Sequence, residues 1–252
     1  MKLFKYIFIF CLSLFIVPTA LAQETNNQAI KHFVAAEEAY KQGDFAKATE
    51  EYESIVKSGK ESGNIYYNLA NSYYKQGKVG KAILNYKRAL QFMPRDSDTR
   101  FNYHYVQSRI QDSGDRQLNF FEKLLQGHIE FYALNEMIVI ICILSALLGT
   151  VSLISLFTKW PVNLRRWSLS LLTALWMIYV SGFVLKIQAD KNLGVVTTVA
   201  DAYFEPRNNS TVYFKLFEGT EVKILKKEED WFKIERLDGK LGWVHSDALE
   251  KI

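Results

Sequence analysis

Two apolar runs, Met137 to Phe157 and Trp167 to Leu185, contain no charged residue. Each is about 20 residues long, the length at which a helix crosses a hydrocarbon core of about 30 Å. A helix also satisfies its backbone hydrogen bonds internally, as a lipid-exposed segment must. The residues between the runs, 158–166, carry Lys159, Arg165 and Arg166 and no acid. A short loop rich in Lys and Arg stays on the cytoplasmic side, so both flanking parts of the chain are expected on the opposite face. The competing reading is a pair of buried core helices in a soluble domain; charge-free runs of about 18 residues or more favour the spans.

The start of the chain leads to the same topology. Lys2 and Lys5 precede an apolar stretch from Tyr6 to Val17, and Ala20-Leu21-Ala22 offers a small-residue cleavage site before Gln23. Residues 1–22 therefore read as a signal peptide, with an uncleaved anchor as the competing reading. The formal net charge is +4, and two of those charges lie in this segment; the remainder is too close to neutral to suggest nucleic acid. Cys11 and Cys142 both fall in apolar segments, so neither a disulfide nor a thiolate metal site is expected.

Between residues 23 and 115 the chain repeats itself. Gly43, Ala48 and Tyr52 recur 34 residues on as Gly77, Ala82 and Tyr86, within the matching phrases Tyr40-Lys41-Gln42-Gly43 and Tyr74-Lys75-Gln76-Gly77. In the second unit, Tyr66, Leu69, Ala70 and Tyr73 share one face of a first helix, and Ala82, Tyr86, Ala89 and Leu90 share one face of a second. Small alanines permit close helix approach, Gly77 suits the turn, and Pro94 ends the unit. Asp96 or Ser97 is placed to cap a further helix reaching about Arg109, broken by Asp112-Ser113-Gly114-Asp115. The period and phrases resemble the tetratricopeptide repeat (TPR), a helix-turn-helix unit, in about two and a half copies. A stack needs about three units to bury its faces, so residues 116–136, with Phe120, Phe121, Leu124, Leu125, Ile129 and Tyr132 at helical spacing, are expected to form an amphipathic helix. That helix would cover the open end or lie on the membrane surface.

The TPR resemblance implies a peptide groove lined by the first helices. Its positions here include Phe33, Tyr40, Asn64, Tyr67, Asn71, Tyr74, Phe101 and Tyr105, an aromatic and amide surface suited to an extended peptide. The alternative is that several of these aromatics only pack between helices. The Lys and Asn of a carboxylate clamp are not present at the first groove positions, where Phe33 and Glu37 stand.

Residues 191–252 change to short alternating runs, Val195 to Val199, Val222 to Leu225, Trp231 to Ile234 and Gly242 to Val244, separated by turn signals. The phrases from Phe217 to Val222, from Trp231 to Ile234 and from Asp238 to Val244 resemble the bacterial SH3 (SH3b) module, which implies a small β-barrel. Alternation puts Phe232 and Ile234 in the core and Trp231 on the other face, where it would join Tyr203 and Trp243 in an exposed aromatic patch. Half-burial of Trp243 as part of barrel closure is the competing reading. SH3b modules bind cell-wall peptides or proteins.

No catalytic constellation accompanies these modules. His32, His104, His128 and His245 lie in separate segments, none with a second histidine or a cysteine at ligand spacing; His104 is expected in a helix-packing position. There is no phosphate loop or nucleophile elbow, and the spans hold no ionisable residue for transport. The expected fold is a multidomain membrane protein: α-helical TPR repeats, a transmembrane hairpin at 137–157 and 167–185 with a cytoplasmic loop at 158–166, and a C-terminal SH3-like β-barrel. That order of modules resembles the Bacteroides aerotolerance (Bat) proteins, in the form that carries TPR units. The resemblance implies a non-enzymatic scaffold without cofactors in the bacterial inner membrane, its N- and C-terminal modules periplasmic. Its implied partners are Bat proteins with von Willebrand factor A domains and a MoxR-type ATPase, in envelope stress or oxygen tolerance. A cell-wall anchor using the SH3b module on peptidoglycan is the alternative.

Overall fold

The computed structural model describes residues 27–111, 119–158, 160–207 and 209–252; the signal-peptide segment and the break at Asp112 to Asp115 lie outside them. The chain divides into two compact units, one ending at Lys78 and one spanning Val79–Ile252.

In the first unit, α1 covers residues 27–41, α2 Phe45–Lys57 and α3 Gly63–Lys75. Side-chain caps start the latter two: Asp44 accepts from the Lys47 N–H and Ser62 from the Ile65 N–H. The repeated Tyr-Lys-Gln-Gly phrase ends α1 and α3 in one geometry. Gly43 and Gly77 sit at φ 81° and 77°. The residue after each glycine donates back across the last turn, Asp44 to the Ala39 carbonyl at 2.9 Å and Lys78 to the Tyr73 carbonyl at 3.0 Å. This is the glycine-dependent helix stop, which requires a left-handed residue at that position. Ala36, Ala48, Ala70, Tyr52, Leu69 and Tyr73 are buried. The Gln76 amide ties the end of α3 to the start of α2, donating to the Phe45 carbonyl at 2.8 Å and to Thr49 Oγ1 at 2.5 Å.

The second unit contains α4 Val79–Phe92, α5 Ser97–Gln107, α6 Phe120–Phe131, α7 Leu134–Phe157 and α8 Val162–Lys191. These are followed by β1 Leu193–Val196, β2 Ala200–Tyr203, β3 Val212–Leu216, β4 Glu221–Glu228, β5 Trp231–Arg236, β6 Leu241–His245 and β7 Leu249–Lys251. Asp96 caps α5 through the Thr99 N–H and hydroxyl. Of the segment expected as one helix over 116–136, residues 116–118 lie outside the described residues; the rest is α6 and the first turn of α7, because the chain bends at Tyr132 and Ala133, both in extended conformation. Among the described residues, α7 and α8 are long and apolar enough to cross a membrane, and only 11% and 6% of their most apolar windows is buried. A core helix of a soluble domain would be largely covered. They pack together, with Trp176 Nε1 donating to Ser145 Oγ at 2.9 Å. Helix α8 begins at Val162 and ends at Lys191, so it takes in Arg165 and Arg166 and leaves a shorter loop than 158–166.

The strands form a seven-stranded antiparallel sheet in the order β3-β2-β6-β5-β4-β1-β7. Its core is Val196, Ala202, Leu216, Val222, Ile224, Phe232, Ile234, Val244, Ala248 and Leu249. Strands β2, β3 and β7 were not marked by alternation in the sequence.

Candidate interaction surfaces

In the first unit, Asn64, Tyr67, Asn71 and Tyr74 fall on one face of α3, with Asn64 exposed and the other three half-buried. Phe33 and Tyr40 are half-buried on α1 and are engaged between helices. The Phe33 ring meets Tyr52 edge-on at 5.7 Å, and Tyr40 meets Phe45 at 5.2 Å. Burial raises the Tyr40 pKa, with the neighbouring Tyr67 adding to it. Burial, then the Glu37 carboxylate, pushes Tyr52 up to about 12, while its hydrogen bond with Asn68 opposes them. These phenols remain neutral at physiological pH.

In the second unit, α5 presents Phe101 and Tyr105 to solvent, stacked at 6.3 Å, with the Arg109 guanidinium 4.5 Å above the Tyr105 ring. His104 lies exposed beside Tyr103, at 5.0 Å between ring centroids, and not in the packing position its spacing suggested. The β-sheet brings Tyr203, Trp231 and Trp243 onto one face. Tyr203 is the cross-strand partner of Trp243, and its ring meets Trp231 edge-on at 5.6 Å. Trp231 is only 9% exposed, however, because Tyr203 on one side and His245 at 5.4 Å on the other cover it. Alternation gave its face correctly, but neighbouring rings decide access. Trp243 is half-buried, with the Lys233 ammonium 6.0 Å from its ring centroid.

The β5–β6 turn is held by Arg236, which is buried and grips Asp238 through Nε at 2.9 Å and Nη2 at 2.5 Å. The Arg236 hydrogen bond holds the Asp238 carboxyl well below the usual carboxylate range. A depressed acid contributes stability above its unfolded pKa of about 3.9 and loses it as pH falls. We expect hydrogen exchange of β5 and β6 amides to accelerate below about pH 4 relative to intrinsic rates, and Asp238→Asn to abolish that dependence.

A third arrangement was not expected from the sequence. Helix α4 docks on the sheet. The Glu218 carboxylate accepts the Gly80 N–H at 2.9 Å, in the first turn of α4, where an anion complements the exposed N–H groups and helix dipole. Further along, Lys87 pairs with Glu221 at 3.1 Å, and the Tyr103 hydroxyl of α5 donates to the other Glu221 oxygen. Gln107 donates to the Tyr103 hydroxyl at 2.8 Å, and Arg88 to the Lys251 carbonyl at 2.7 Å. Burial disfavours the Lys87 ammonium, but the Glu221 carboxylate and Tyr103 outweigh it and hold the pKa above the usual lysine value. Tyr103 is likewise raised, by burial first, with the Glu221 charge adding to it.

Among the described residues, no group of three or more His, Cys, Asp and Glu side chains is placed to hold a metal. Residues 63–96 match the tetratricopeptide repeat, and residues 199–250 match the bacterial SH3 domain. No curated protein matches the chain. The chain thus carries a helical repeat and a bacterial SH3 module, both non-catalytic interaction domains, on either side of two apolar helices.

Proposed function

We propose that the chain is a non-enzymatic, membrane-anchored adaptor that binds protein partners through its repeat and SH3 modules. Both modules stand on the extracytoplasmic face of a bacterial inner membrane, and the partners belong to a Bat-type complex. The observation that carries the reading is continuity: α8 runs into β1 with only Asn192 between them, so the SH3 module begins where the second apolar helix ends. The basic residues Arg165 and Arg166 at the other end of α8 hold the hairpin turn on the cytoplasmic side. Tethering both modules at one membrane face raises their effective concentration for a shared partner.

On this reading α3 supplies contact residues, Asn71 bonding an extended peptide backbone and Tyr67 covering a side chain. A von Willebrand factor A domain protein of the Bat type is the partner to test. With the full chain in native membranes, Tyr67→Ala with Asn71→Ala is expected to weaken crosslinked capture of that partner by about tenfold or more, with helix content unchanged. Undiminished capture defeats the groove. The half-buried Tyr203–Trp243 pair favours one other ligand, cell-wall peptide; retention of the full chain on isolated sacculi, lost in Trp243→Ala, identifies that function instead.

A further inference from the structure

We propose that α6 is an interfacial helix that lies along the membrane with Phe120, Phe121, Leu124 and Leu125 inserted among lipid acyl chains. The inference rests on the reading of α7 and α8 as spans. At 100° per residue, Glu122, Lys123, Gln126 and Glu130 gather in one narrow arc of α6, and Phe120, Phe121, Leu124, Leu125 and Phe131 occupy the other side. No residue of α6 is buried. Its apolar face stands open: Phe120 is 73% exposed, Phe121 77%, Leu124 62% and Leu125 51%. A helix of this length is marginal in water without a partner for its apolar face, even with its Asn119–Glu122 capping box.

The position of α6 identifies the occupant. Its C-terminal end is fixed to α8: Lys186 Nζ donates to the Ile129 carbonyl at 3.1 Å and the Tyr132 carbonyl at 2.8 Å. His128 and Tyr132 meet the Tyr179 ring edge-on at 5.6 and 6.0 Å. Tyr179 and Lys186 are separated by about 10 Å along a helix, in the last apolar turns of α8 before Asp190 and Lys191. The anchoring depth is therefore the outer edge of the apolar belt, where Ile138 and Val139 of α7 and Val184 and Leu185 of α8 are also exposed. The open face of α6 continues that belt. Its polar arc holds two acids and one base, so insertion is driven by apolar area and needs no anionic lipid.

The test uses the full chain in phosphatidylcholine nanodiscs, with Cys11→Ser and Cys142→Ala removing native thiols. Nitroxide labels are placed singly at Leu124→Cys, Gln126→Cys and, as the span control, Leu147→Cys. The label at 124 is expected to collide several-fold more with oxygen than with a water-soluble nickel chelate, and the label at 126 to show the reverse. Neither result should change with added phosphatidylglycerol or salt. A label at 124 that is open to the chelate, or shielded from both reagents by protein, overturns the interfacial placement while Leu147→Cys remains in lipid. Chelate access at 147 overturns the spanning reading and the inference with it.

Discussion

Glu221→Ala is expected to release α4 and α5 from the β-sheet and to cost about 3 kcal/mol. The Glu221 side chain is 8% exposed and Lys87 23%, so removing the carboxylate leaves an ammonium with little access to water and the Tyr103 hydroxyl without its acceptor. Uncompensated burial of that kind is far more costly than the net worth of the pair. In the full chain the readout is amide exchange in α4 and β1, about 100-fold faster. Replacing the pair together, Lys87→Met with Glu221→Leu, should restore most of the protection, since two apolar groups carry no unpaired charge. The docking also has a pH signature. Lys87 and Tyr103 both have raised pKa values in the folded state, so the protonated forms are favoured there. Their contribution is complete below about pH 10 and declines as pH rises further. Unchanged exchange in Glu221→Ala would show that the triad does not hold the helices.

Gly80→Ala should also destabilise the same contact, by about 2 kcal/mol, although alanine in place of an exposed helical glycine ordinarily stabilises by about 1 kcal/mol. The sign reverses because a Cβ at Gly80 would stand 2.4 Å from the Val196 carbonyl oxygen, 2.7 Å from Glu218 Cγ and 2.9 Å from Thr197 Cα. Two of those atoms are backbone of β1 and of the residue after it, so relief requires the helix to lift from the sheet. Such lifting also lengthens the Gly80 N–H bond to Glu218. About 30-fold faster exchange of the first-turn amides of α4 is expected; slower exchange would mean that helix propensity outweighs the contact.

Much of this architecture is legible without coordinates. The 34-residue spacing of Gly43 and Gly77 corresponds to two helix ends with the same hydrogen-bond pattern, because a left-handed stop needs glycine and leaves a local signature. The apolar runs mark where α7 and α8 lie, but not their ends: α8 extends beyond its run at both ends, from Val162 to Lys191. What escaped the sequence depended on neighbours. Leu90, read as part of the packing stripe of α4, is half-buried, whereas Ile83, Leu84 and Asn85, outside that stripe, are buried. Trp231 occupies its expected face but is roofed by Tyr203 and His245. The 116–136 segment shows continuous helical periodicity in sequence, yet the backbone is extended at Tyr132 and Ala133, between α6 and α7.

Local chemistry, being periodic or charge-patterned, was therefore written in the chain: the repeat, the apolar hairpin with its basic turn, and the alternating strands. Only tertiary structure could give the turn from Phe217 to Thr220 its second task. In sequence it is a phrase of an SH3-like module. In the fold, Glu218 caps α4, Gly219 at φ 88° admits Ile83 and Ile110, and nearby Glu221 receives Lys87 and Tyr103. Pairings between residues so far apart in the chain leave no periodic trace, and burial alone sets their strength, because the same ion pair in water would contribute little.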